Sequence, residues 1–161
     1  MIFDLIPDSD PRLHSAVPEF DFSNPPTDPV ALYSDMMETM RSNHGAGLAA
    51  NQCGLPYRAF TAYDMESQHY IAFNPTIEVE TGEQKGTEGC LSYPGLILTI
   101  TRAFTVTLRY QDQHGEWKTK ELSEFRARAA LHETDHLNGI TFVEKVSKFR
   151  LKEAMAARKK A

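Results

Sequence analysis

A chain of 161 residues, with 41% hydrophobic and 24% charged side chains, has the size and make-up of one domain with a real core. Its net charge of −5 argues against a nucleic-acid-binding surface, and no apolar run reaches the length of a membrane helix. Met1 to Pro11 holds three aspartates and no basic residue, so neither a secretory signal nor a transit peptide is expected; two cysteines make no disulfide framework, and a reducing, cytoplasmic setting follows.

The first helix is expected to start at Thr27-Asp28-Pro29, with Pro29 tolerated in the first turn, and to end at Asn43-His44-Gly45. Leu32, Met36 and Met40 recur along it at helical spacing and read as core. Runs rich in β-branched and aromatic residues predict strands at Ala59–Tyr63, Tyr70–Phe73, Thr76–Glu80, Leu96–Ile100 and Thr105–Tyr110. Asp112-Gln113-His114-Gly115 is a turn into a return strand at about Trp117–Leu122. A second helix of about four turns is bounded by Ser123 as N-cap and Gly139 at C′. Strands in runs, not alternating with helices, favour an α+β architecture. The whole chain, 1–161, reads as a single domain that closes with a basic helix at about 147–160. From Glu144 onward seven Lys/Arg face two Glu, a local balance of +5 against −10 for the rest.

The second helix carries His132-Glu133-Thr134-Asp135-His136, an H-E-x-x-H run. Histidines four apart face the same way, with Cβ atoms roughly 5–6 Å apart, so both rings can reach one ion. Glu133 projects beside that stripe, where it can serve a water without occupying the metal. The pattern alone supplies two ligands and is a zincin signal only. No histidine, cysteine or H-x-x-G-x-x-H continuation follows His136. Glu144, past the Gly139 break, and Glu153, in the basic tail, are unattractive ligands. Cys90, within Glu88-Gly89-Cys90-Leu91-Ser92, is the better candidate, and a Cys-His-His set leaves a position open, as catalytic sites do. A lone histidine pair is ordinarily packed core; the adjacent Glu133 and the Cys90 segment weigh against that here. Phe125, Ala129, His132 and His136 fall on one stripe, with Ala127, Ala130 and Leu137 opposite, so the helix should be central with sheet on both sides. Asp135 is a natural partner to fix a ligating histidine's tautomer, with a surface aspartate equally open.

Three segments, Gly45-Ala46-Gly47-Leu48-Ala49-Ala50-Asn51-Gln52, Glu88-Gly89-Cys90-Leu91-Ser92 and His132-Glu133-Thr134-Asp135-His136, resemble the three signature motifs of the peptide deformylase family, in the family's order. The resemblance extends from Pro11-Arg12-Leu13 through Asn74-Pro75 to Asp135-His136-Leu137-Asn138-Gly139. It implies antiparallel or mixed β-sheets around a central H-E-x-x-H helix, and removal of the formyl group from the formyl-methionine of nascent polypeptides. It also implies one divalent metal ion on Cys90, His132 and His136, ferrous iron with zinc, nickel or cobalt as substitutes. Glu133 is then the acid–base group, with the Gln52 side-chain amide and the Leu91 N–H as oxyanion donors. Segments around Gly45, Gly47 and Gly89 would pair with the peptide backbone, and Phe125, Ala129 and His44 would line the methionine pocket. N-formyl-methionyl peptides are the expected partner. The basic tail could dock on the ribosome, although a solvated helix whose cations favour its dipole is the preferred reading.

The sequence departs from the family at His44, Leu131 and Thr134, where an aliphatic residue, Gln and an aliphatic residue are usual, and at Cys53, commonly Val. None of these is a ligand or an acid–base group. Two other readings are a zincin-type metallopeptidase, which would survive Cys90→Ala better than His132→Ala, and a catalytically silent binding module, which has no need of Glu133.

Overall fold

The computed structural model describes residues 1–65 and 68–158. Helix α1 spans Pro29–Ser42, and seven strands follow it: β1 Gly47–Ala49, β2 Ala59–Tyr63, β3 His69–Thr81, β4 Gln84–Cys90, β5 Tyr93–Arg102, β6 Thr105–Gln111 and β7 Trp117–Ser123. Helix α2 spans Phe125–Leu137 and α3 Lys148–Ala157, with short 3₁₀ turns at Pro11–His14, Ala50–Cys53 and Phe142–Lys145. The strands make a five-stranded sheet in the order β1-β2-β3-β6-β7 and a separate β4-β5 hairpin. Every pairing among the described residues is antiparallel, so of the two sheet types expected only one is used.

Helix α2 lies against the inner face of the larger sheet, where Ala127, Ala130 and Leu137 pack with Ala49, Phe60, Ala62, Leu108 and Leu122. A different face, carrying Arg128 and His132, is tied to β4 through Glu88. The hairpin has its own core: Leu96, Leu98 and Ile100 alternate inward along β5 and meet Leu13, Phe142 and, from α3, Leu151 and Ala154. The central placement expected of the H-E-x-x-H helix is therefore what packing produces.

Helix α1 starts as read, the Asp28 carboxylate accepting from the N–H groups of Val30 and Ala31, and Leu32, Met36 and Met40 are buried. Three expectations shift. The runs Tyr70–Phe73 and Thr76–Glu80 form a single strand, bulged between Phe73 and Thr76, where Asn74 adopts φ 51°. Its side chain accepts from Phe20 N at 2.7 Å and donates to Phe20 O at 2.9 Å and Gln111 Oε1 at 2.8 Å, which fixes the bulge. Strand β4 was not among the predicted strands, because Gln, Lys and three Gly residues near it carry little β-propensity; pairing with β5 imposes it. The residue before α2 is Glu124, φ 57°, whereas Ser123 ends β7 with its hydroxyl on that of Thr105.

Gly139, as expected, closes α2 at φ 76°, and a Cβ there would stand 2.8 Å from the Ser15 backbone. Helix α3, capped by Ser147, occupies the basic tail; Lys159 and Lys160, the end of the expected helix, lie outside the described residues. Among the described residues no helix is long and apolar enough to cross a membrane.

Candidate metal centre

The two α2 histidines present their Nε2 atoms 3.2 Å apart. Strand β4 ends at Cys90, paired with Tyr93, and this hairpin corner brings Sγ to 3.4 Å from His136 Nε2. All three ligand atoms lie within 4.8 Å of one another, and no other such group is found among the described residues. The set fits an ion: one thiolate and two imidazoles suit a borderline-soft divalent metal.

His132 Nδ1 is 2.8 Å from Glu88 Oε1, which leaves its Nε2 for the ion. The Glu88 carboxylate also accepts from Arg102, at 3.0 Å from Nη2, and from Arg128 Nη1 at 2.6 Å. Burial would raise the Glu88 pKa, but hydrogen bonds from His132 and Arg102 outweigh it and hold the group at about 2. Burial would likewise lower His132; the charge of Glu133, the Cys90 thiol and Glu88 outweigh it and push the ring up to about 10. His136, fully enclosed, is held well below the ordinary histidine value by burial and by His132. Asn51 Nδ2 donates to the His136 carbonyl and fastens that end of the helix to the Ala50–Cys53 turn.

Glu133 is buried, and burial pushes its carboxyl up to about 7. Its Oε1 has no partner among the described residues, a state suited to a group that serves water or substrate. Strand β1 runs beside it so closely that a Cβ on Gly47 would stand 2.7 Å from Glu133 Oε2. Gln52 is oriented at both ends: Oε1 accepts from Ala49 N at 2.9 Å, while Nε2 donates to Ser92 Oγ at 3.0 Å and lies 3.6 Å from Cys90 Sγ. Its donor end thus points at the centre.

These groups open on a cleft of about 560 Å³, and each of the expected site residues except His136 lines it, His44, Phe125 and Ala129 among them. Phe125 is exposed at its rim and Ala129 is buried. Leu91 packs against the Gly45 position, where a Cβ would meet its side chain at 2.7 Å. Gly89 is different: among the described residues a Cβ there would meet only Ile97 at 3.6 Å, so none of them demands glycine.

Of the two readings left open for Asp135, the histidine partner is not what forms; it pairs with Arg102 Nη1 at 3.0 Å and Lys145 Nζ at 3.4 Å. It precedes His136 and follows His132 by three, yet its carboxylate is taken up by those two cations. Glu88 takes the role instead. Its position two residues before Cys90 on a strand, hence on the same face, is the signal that could have found it. Ser92, Arg102 and Arg128 also went unread, since only the tertiary fold brings them here.

A histidine pair on a buried helix, a cysteine from a hairpin corner and an enclosed glutamate beside an open cleft are the parts of a mononuclear metal-dependent hydrolase. Residues 2–152 match the family model of polypeptide deformylase, and the chain belongs to that family. It is 43% identical over 126 residues to the peptide deformylase of Caldanaerobacter subterraneus subsp. tengcongensis, covering 78% of this chain and 79% of that one. The crystal structure of peptide deformylase from Thermus thermophilus superposes with a TM-score of 0.89 at 36% identity, covering 97% of this chain and 92% of the other. A Met-Ala-Ser-bound class I type b peptide deformylase from Acinetobacter baumannii gives 0.84 at 27% identity, covering 91% and 99%. The family is metal-dependent, and the Cys90–His132–His136 cluster offers the donors for an ion.

Proposed function

We propose that the chain hydrolyses the formamide of N-formyl-methionyl peptides in the cytoplasm, releasing formate and a free amino terminus. The observation that carries this reading is the enclosed Glu133 beside the Cys90–His132–His136 cluster, on the wall of a cleft that Gln52 also lines. Cys90, His132 and His136 would hold a divalent ion, ferrous iron before zinc, nickel or cobalt, which would supply Lewis acidity toward water and the formyl oxygen.

Glu133 takes the proton of the attacking water and delivers it to the departing nitrogen, a role suited to its place on the cleft wall with Oε1 unpartnered among the described residues. Gln52 Nε2, held by Ser92 and steadied through Ala49, donates to the oxyanion together with the Leu91 N–H. The extended peptide lies along Gly45–Gly47 and Gly89, as an added strand, with its first side chain toward Phe125, Ala129 and His44. The basic face of α3 is read as solvated, with ribosome docking as the other use of it.

A peptidase reading lacks a third carboxylate or histidine at the cluster among the described residues. A silent binder gives no reason to enclose Glu133. The test is formate release from formyl-Met-Ala-Ser by anaerobically purified protein, beside Cys90→Ala and Glu133→Ala. Metal-dependent release is expected, lost in the first variant and reduced about 10²–10⁴-fold in the second. No release from folded, metal-loaded wild-type protein overturns the assignment.

A further inference from the structure

Arg128 is a buried charge that this mechanism does not use. It sits one turn before His132 on the α2 stripe facing the cleft, next to the apolar Ala129. Its guanidinium is fixed on three acceptors: Nη1 donates to Glu88 Oε2 at 2.6 Å and Ile100 O at 3.0 Å, and Nη2 to Gln84 O at 3.2 Å. Of its five N–H groups, the Nε–H and one on Nη2 find no acceptor among the described residues. Strand β4 makes room for it, since a Cβ on Gly86 would stand 3.1 Å from Arg128 Nη2 and 3.4 Å from Cζ. Gly86 and Arg128 are thus a matched pair, a missing side chain on one wall against an oversized one on the other. Arg102 already neutralises Glu88, so the charge of Arg128 is not required for that.

We propose, resting on the deformylase reading, that Arg128 determines specificity in the pocket for the first side chain and favours N-formyl peptides whose first residue is methionine sulfoxide over methionine. A thioether is a weak acceptor and leaves the spare guanidinium donors without a partner. A sulfoxide keeps the methionine chain, and so its contacts with Phe125 and Ala129, and adds an oxygen that can accept from Arg128. A carboxylate-ended side chain would accept as well, but it must shed the hydration of a full charge to enter, whereas the sulfoxide is neutral.

The experiment compares kcat/KM for formyl-methionine-sulfoxide-Ala-Ser and formyl-Met-Ala-Ser, for metal-loaded wild type and Arg128→Leu. Calorimetry on the two deformylated peptides reads the pocket without turnover. The wild-type ratio is expected to favour the sulfoxide by about tenfold, the worth of one hydrogen bond to a charged donor, and to fall below one in Arg128→Leu. A general loss from loosening Glu88 and His132 divides out of the ratio. If Arg128→Leu does not fold, Arg128→Lys, which lacks the Nε–H, should bring the ratio close to one. A wild-type ratio at or below one, or a ratio the substitutions leave unchanged, overturns the proposal. Sulfoxide-selective peptide binding by protein that releases no formate leaves the pocket assignment standing and removes the deformylase one. Equal or absent binding of both peptides removes the pocket assignment whatever the turnover.

Discussion

Replacing Gly47 by alanine is expected to damage catalysis through Glu133 while leaving the metal ligands in place. The new Cβ would stand 2.7 Å from Glu133 Oε2, 3.0 Å from Cγ and 3.1 Å from Cδ. Relief requires the carboxylate to retreat by about 0.5–1 Å, given the spacing at which non-bonded heavy atoms sit comfortably. Glu133 is enclosed, so it has little space in which to do this cheaply. A misplacement of about 1 Å costs roughly 10²-fold in rate, so kcat should fall between about 10- and 10²-fold. KM should change less than kcat, because the methyl is directed at the base although Gly47 also borders the peptide cleft. Steady-state formate release at matched metal content measures both constants. The decisive arm repeats the substitution in a Glu133→Ala background, where the clashing carboxylate is gone. There Gly47→Ala should cost nothing further; the same fractional loss in both backgrounds would refute the argument.

Two other outcomes are expected. Glu88→Gln removes the carboxylate charge that two buried arginines share and that steadies His132; metal affinity, read by chelator competition, should fall about 10–100-fold, and thermal unfolding should reveal a loss of about 3 kcal/mol. Unchanged affinity would mean that His132 does not depend on Glu88. Asn74→Ala removes three hydrogen bonds from a bulge held at φ 51°; it should cost about 3 kcal/mol, or roughly 6–12 °C in Tm, with kcat untouched since Asn74 does not border the cleft. A melt that does not move would show the bulge to be held by β-pairing alone.

The site was more legible in the sequence than the scaffold that orients it. His132, Glu133 and His136 declare themselves because helical spacing alone puts two rings on one stripe. Cys90 followed from the chemistry of the missing ligand and from a family resemblance, not from any local geometry. Glu88 and Asp135 show where local reasoning stops. Asp135 is near both histidines in sequence, yet its side chain leaves the helix toward Arg102 and Lys145, while Glu88, 44 positions from His132, arrives from a strand. Strand β4 hid for a related reason, since its Gly86 is chosen for the room that Arg128 requires and not for extended backbone. The bulge at Asn74 made one strand read as two, because an asparagine–proline pair is a turn signal unless the partner strand and Phe20 are known.

Cys90 belongs to the β4–β5 hairpin and the two histidines belong to α2, elements that pack mainly into different cores. An ion held by all three would therefore be a cross-link as well as a catalyst, closing a loop with 41 residues between Cys90 and His132. Such closure removes conformations open to the unfolded chain, much as a disulfide does, and makes binding energy part of folding energy. The architecture thereby adds the ion to the Glu88 and Arg128 hydrogen bonds that already join the hairpin to α2, so removal of the ion should lower the melting temperature as well as the activity.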